Sequence, residues 1–111
     1  MGLAVGDIDN DGRLDLYVGS MYSKAGSRVM GNMRRGDYPD DLMATMRSFV
    51  VGSRLHRNLG NFKFEDVGAR WQVHDAGWAY APAMADLDND GWLDLYTTAG
   101  YISRDRNKPD G

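Results

Sequence analysis

Apolar and polar residues alternate in short stretches along most of this chain, and the stretches are bounded by Gly, Asp or Asn. Leu14-Asp-Leu-Tyr17 and Leu93-Asp-Leu-Tyr96 alternate with period two, as half-buried strands do. The same period runs through Arg54-Leu-His-Arg-Asn58 and Phe62-Lys-Phe-Glu-Asp-Val67, which Leu59-Gly60-Asn61 divides. That pair reads as a hairpin. One stretch has a longer period. Between Asp40 and Val51, the residues Leu42, Met43, Met46, Phe49 and Val50 fall on one face of a helix. Pro39 precedes it, Asp40 and Asp41 suit its positive end, and Gly52 can terminate it. The expectation is an inserted helix near 40–51 that packs on a sheet, with its methionines as core filler.

The strands are organised by a repeat. Ala4–Tyr17 recurs as Ala83–Tyr96, an offset of 79 residues with 10 of 14 positions identical. Each copy is an apolar segment, an Asp/Gly-rich turn, then Leu-Asp-Leu-Tyr, so the turn joins two strands. Adding the hairpin makes four strands per unit.

Composition sharpens this picture. Of 16 acidic residues only Glu65 is glutamate, and there are 14 glycines, which argues against a helical bundle. A hydrophobic fraction of 42% is too high for a disordered acidic tail. The absence of cysteine removes a disulfide scaffold, a thiolate zinc site and a thiol nucleophile. No apolar run approaches the roughly 18 residues of a membrane-spanning helix, so no membrane insertion is expected. A net charge of −3 gives no reason to expect nucleic acid. Met1-Gly-Leu-Ala-Val-Gly-Asp7 lacks the features of a secretory leader, and Asn107-Lys-Pro-Asp-Gly111 is turn-forming. Together the ends read as a fragment.

The candidate chemistry lies in the two turns. The first is Asp7-x-Asp9-x-Asp11-Gly12-x-x-Asp15 and the second Asp86-x-Asp88-x-Asp90-Gly91-x-x-Asp94. Each sets four carboxylates on one tight turn, and only a hard divalent cation suits such a donor set. Calcium, with 6–8 oxygen ligands in flexible geometry, fits best. The backbone carbonyls of Arg13 and Trp92, with water, would complete the two shells. Aspartate is required because its short stem lets oxygens of neighbouring residues converge. Gly12 and Gly91 stand where the chain turns sharply, and Asn10 and Asn89 suit the same turn. Without a cation, four carboxylates within nine residues repel one another. An EF-hand is rejected by spacing, because its closing Glu at position 12 is replaced by Val18 or Thr97 and its flanking helices by strands. A dockerin-type loop fails because it leads into a helix. Eight of the fifteen aspartates lie in the loops, which carry −7 together, so the rest of the chain carries +4. Two bound Ca²⁺ would move the formal charge from −3 to +1.

Other residues invite less. His56 and His74 have no partner at a ligand or triad spacing and read as structural. Trp71, Trp78 and Trp92 read mainly as packing between sheets, with Trp92 the best placed to point outward as a contact residue. Lys24, Arg28, Arg34 and Arg35 read as a solvated insertion loop.

At this point a family resemblance becomes specific. The nine-residue loop between strands resembles the calcium loop of FG-GAP/VCBS repeats, the blades of integrin-α-like β-propellers. Gly77-Trp-Ala-Tyr-Ala-Pro82 resembles the segment that names the repeat, with Ala79 to Ala81 in place of its glycines. Leu55-His-Arg-Asn58 followed by Gly60-Asn-Phe-Lys-Phe-Glu-Asp-Val67 resembles the recurring strand pair of that family. Ser20-Met-Tyr-Ser-Lys-Ala-Gly-Ser-Arg28, with its helical insertion, resembles bacterial ASPIC/UnbV and cartilage-acidic-protein-like members.

The resemblance implies an all-β fold, a fragment of a β-propeller comprising about one and a half four-stranded antiparallel blades. Residues 1–75 would be the first blade, with insertion 20–53, and 76–111 the first half of the second. It implies two Ca²⁺, one held by Asp7, Asp9, Asp11 and Asp15 and the other by Asp86, Asp88, Asp90 and Asp94. It implies neighbouring blades as partners, with a protein or carbohydrate ligand, in a secreted, periplasmic or cell-surface protein with a structural or adhesion-like role and no catalysis. The alternative is a non-catalytic or calcium-dependent domain of a secreted carbohydrate-active hydrolase or lyase. Against catalysis, all four carboxylates of each loop are committed to the ion, which leaves no acid/base pair.

Overall fold

The computed structural model describes residues 1–20, 30–34 and 36–100. Six strands and one long helix organise them: β1 (Gly2–Gly6), β2 (Asp15–Gly19), α1 (Asp40–Phe49), β3 (Arg54–Gly60), β4 (Lys63–Asp66), β5 (Ala79–Ala85) and β6 (Asp94–Ala99). The first four strands form one antiparallel sheet in the order β1-β2-β3-β4, and β5-β6 form a second antiparallel pair. This is the expected four-strand unit followed by the first two strands of another. Of the insertion, residues 21–29 and 35 lie outside the described residues, as do Lys24, Arg28 and Arg35.

Register explains which residues reach the core. In the β1–β2 ladder Ala4 pairs with Tyr17 and Gly6 with Asp15, and all four are buried. Their face meets the second sheet. Ala4, Tyr17, Leu55 and Val67 form the buried cluster, with Val73, Met84 and Leu95 packed against it. The Tyr17 hydroxyl donates to the Val73 carbonyl at 2.9 Å, which satisfies the one polar atom that tyrosine brings inside. Glycine in β1 is what lets β5 approach. A Cβ on Gly2 would lie 2.4 Å from the Tyr80 carbonyl oxygen, and one on Gly6 would lie 2.7 Å from Leu93 Cδ1.

The repeat makes this packing directional. Met84 and Leu95 match Val5 and Leu16 in the first copy, whereas the residues they cover include Ala4 and Tyr17, which match Ala83 and Tyr96. The second unit thus lays one face on the opposite face of the first. Leu3, Val5 and Val18 on the first sheet and Tyr96 on the second are left exposed, at 58%, 50%, 38% and 56%.

Three local expectations are corrected. The helix forms where its period placed it, after Pro39 and with Asp40 and Asp41 in its first turn, but it does not seat its stripe on a sheet. Met43 is its one buried residue among those described, whereas Leu42 and Phe49 are exposed. The hairpin also forms, but its turn is Asn61-Phe62, both with positive φ, beyond a register shift between Asn58 and Gly60. Asn58 is held to the first aspartate loop, so the slack falls on Leu59 and the turn moves outward. Trp71 and Trp92 do not fill the space between sheets, for both are exposed, and the buried cluster is aliphatic with one tyrosine.

Candidate metal centre

The two aspartate turns occupy the β1–β2 and β5–β6 connections, as the repeat requires. Within each, carboxylates organise the backbone before any cation is considered. In the first loop, Asp7 accepts the Asp11 and Gly12 amides at 3.0 and 2.8 Å. Asp15 accepts the Ile8 amide at 3.0 Å, and Asp11 the Arg13 amide at 2.9 Å. The second loop repeats all four bonds. Asp86 takes the Asp90 and Gly91 amides at 3.0 and 2.9 Å, Asp94 takes Leu87 at 3.0 Å, and Asp90 takes Trp92 at 2.8 Å. Left-handed backbone at Asn10 and Gly12 (φ 55° and 84°) and at Asn89 and Gly91 (φ 62° and 88°) closes both turns. Asparagine and glycine are the residues that tolerate this region.

This scaffold brings three carboxylates together in each loop. Asp7, Asp9 and Asp15 form one triad and Asp86, Asp88 and Asp94 the other, each with ligand atoms within 4.8 Å of one another. Asp11 and Asp90 stand outside these triads, each turned toward the amide two residues on. The donor set is all hard oxygen, which suits calcium in chemistry. One atom supports the fit directly, because Asp9 Oδ1 is buried without a hydrogen-bond partner. Arg13 places its guanidinium on the Asn58 carbonyl and on Asp11, and Trp92 is 52% exposed, so the pointing-outward expectation for Trp92 is met.

Neighbours reach the first loop that spacing along the chain does not reveal. The Asn58 amide on β3 donates to Asp15 Oδ1 at 2.8 Å, and its side chain donates to the Leu14 carbonyl at 3.1 Å. With Ile8 on its other oxygen, the fully buried Asp15 carboxylate is held on both sides. Arg57, also on β3, donates from Nε to Asp9 Oδ2 at 2.5 Å and from Nη2 to Asp11 Oδ2 at 3.4 Å. The hydrogen bond to Asp9, then its charge, raise the Arg57 pKa above the ordinary arginine value. These partners lie more than 40 residues from the loop. The signal that could have found them is the family-like Leu55-His-Arg-Asn58 segment, read there only as a strand. The loops also touch each other, since Asn10 Nδ2 donates to the Gly91 carbonyl at 3.2 Å.

His56 lies on β3 opposite Asp66, whose carboxylate is already held by Arg54 and the Gly68 amide. His74 accepts the Ser53 amide at its carbonyl, and its Nδ1 is buried without a partner. Arg34 is exposed, with its amide on Asp37.

Comparison with known families agrees with the geometry. Residues 36–97 match the FG-GAP-like repeat and residues 1–30 match the FG-GAP repeat. The longer match takes in the β3–β4 hairpin and the whole second aspartate loop. No curated protein and no solved structure matches the chain. FG-GAP repeats are structural and binding modules of β-propeller type. With over half its length matched and a four-stranded blade followed by half of another, this chain belongs to the FG-GAP repeat family.

Proposed function

We propose that this chain is a calcium-stabilised blade segment of a secreted, periplasmic or cell-surface β-propeller with a binding or adhesion-like role. The observation that carries the reading is the duplication. Two loops 79 residues apart fold into the same hydrogen-bonded turn, and each gathers three carboxylates around one point. The carbonyls of Arg13 and Trp92, the fourth aspartates and water would complete the coordination. Asp11 is engaged by Arg13 and Arg57 and Asp90 by its own turn, which supports binding over hydrolysis because no acid/base pair is left poised. A neighbouring blade would cover Leu3, Val5 and Val18, in the way Met84 and Leu95 cover Ala4 and Tyr17.

Calcium outside cells is far more abundant than inside, and extracellular modules bind it with Kd near 10⁻⁴–10⁻³ M. At 100 times Kd, each site would add about 2.7 kcal/mol to stability. The melting temperature of the chain should therefore rise by roughly 10 °C or more in calcium relative to EDTA, with magnesium much less effective. Identical melting in calcium and EDTA would remove the metal from this reading.

A further inference from the structure

The two loops are not neutralised alike. Arg57 spans the mouth of the first, with one guanidinium edge against Asp9 and Asp11, whereas no ion pair among the described residues reaches Asp86, Asp88, Asp90 or Asp94. The second loop also has Trp92 where the first has Arg13, whose guanidinium pairs with Asp11 at 2.5 Å. Arg57 is anchored from behind. Its backbone lies in β3 opposite Glu65, and its neighbour Asn58 is fixed to Asp15 and Leu14, so the guanidinium is delivered to the loop by strand pairing. Arg57 keeps 31% of its side chain exposed, and the two carboxylates it meets keep 17% and 16%, so the pair is only partly screened by water.

We propose that Arg57 is a tethered counter-ion of the first loop: it neutralises Asp9 and Asp11 and holds that turn closed in the absence of any metal. Among the described residues the second loop has no such counter-ion. A consequence, which rests on the calcium reading above, is competition. A divalent cation claiming the Asp9 carboxylate meets Arg57 already on Oδ2, so the first loop binds calcium more weakly than the second.

The test compares the full chain with Arg57→Gln and Arg57→Lys, first in EDTA and then in calcium. Amide hydrogen exchange in EDTA should show Asp11 and Gly12, which donate to Asp7, exchanging about fivefold more slowly than Asp90 and Gly91. Arg57→Gln should narrow the difference, and Arg57→Lys, which keeps the charge, should restore part of it, while Arg13 on Asp11 and Asn58 on Asp15 stay in place in both. Equal exchange in the unmodified chain, or a difference that Arg57→Gln leaves unchanged, overturns the counter-ion. In calcium calorimetry, Arg57→Gln should tighten one of two binding events by about fivefold and leave the other unchanged. Weakening of that event would overturn the competition and make Arg57 a support for the bound loop. Heat from neither protein would defeat the calcium reading, while the exchange data in EDTA still decide the role of Arg57.

Discussion

The two aspartate loops share four acidic positions and four backbone hydrogen bonds, and they differ in what the rest of the fold brings to them. In the first, β3 crosses behind the turn and supplies an amide to Asp15 and a guanidinium to Asp9 and Asp11. In the second, Asp94 is half-buried, Asp88 is exposed, and no described strand stands beyond β6. The local turn is thus a property of nine residues, whereas its burial and its charge balance belong to the completed blade. The first blade holds its loop in place with its third strand.

The strongest way to break this comparison is at the closing carboxylate. Asp15→Ala removes a buried acceptor of two amides, and hydrogen bonds to a charged group contribute roughly 1.5–3 kcal/mol each, so about 3 kcal/mol or more should be lost. Asp94→Ala removes the acceptor of one amide and should cost about half as much. Urea unfolding of both variants in EDTA measures the gap, and equal losses would mean that the Asn58 contact contributes nothing.

A second contrast lies in the strands that lead into the loops. Gly2 faces the Tyr80 carbonyl so closely that Gly2→Ala forces β1 and β5 apart, a cost of about 1–3 kcal/mol. The second copy carries Ala81 at the matching position, exposed on β5, where enlargement to Ser should change stability by less than about 0.5 kcal/mol. Thermal denaturation would separate the two, and a neutral Gly2→Ala would show that the sheets can part without loss.

The smallest expected difference tests whether the loops support one another. Asn10→Ala and Asn89→Ala both place alanine in a left-handed turn and share that strain. Asn10→Ala also removes the donor to the Gly91 carbonyl, so it should cost about 0.5 kcal/mol more than its counterpart. A double-mutant cycle between Asn10 and the second loop, followed by chemical denaturation, would detect a coupling of that size. Its absence would make the loops independent.

How much of this was legible along the chain follows from the range of each interaction. Period-two alternation, the shape of the aspartate turns and the helix after Pro39 depend on neighbours within a few residues, and each appears where its pattern placed it. The turn at Asn61-Phe62 was displaced from Leu59-Gly60-Asn61 because Asn58 answers to Asp15, 43 residues earlier. The helix stripe was legible as a stripe, but its neighbour was not. Amphipathic spacing says which face is apolar and is silent on what covers it.

Sequence alone determined the four-strand unit, the two loops and the eight carboxylates that line them, because duplication of a short motif exposes local geometry directly. Tertiary structure alone decided that Asp15 is sealed by Asn58, that Arg57 reaches Asp9 and Asp11, and that glycine in β1 admits β5. Those facts depend on which strands pair and in what register. Register is set by the whole buried face at once, and a shift of one residue would have turned Arg57 away from the loop.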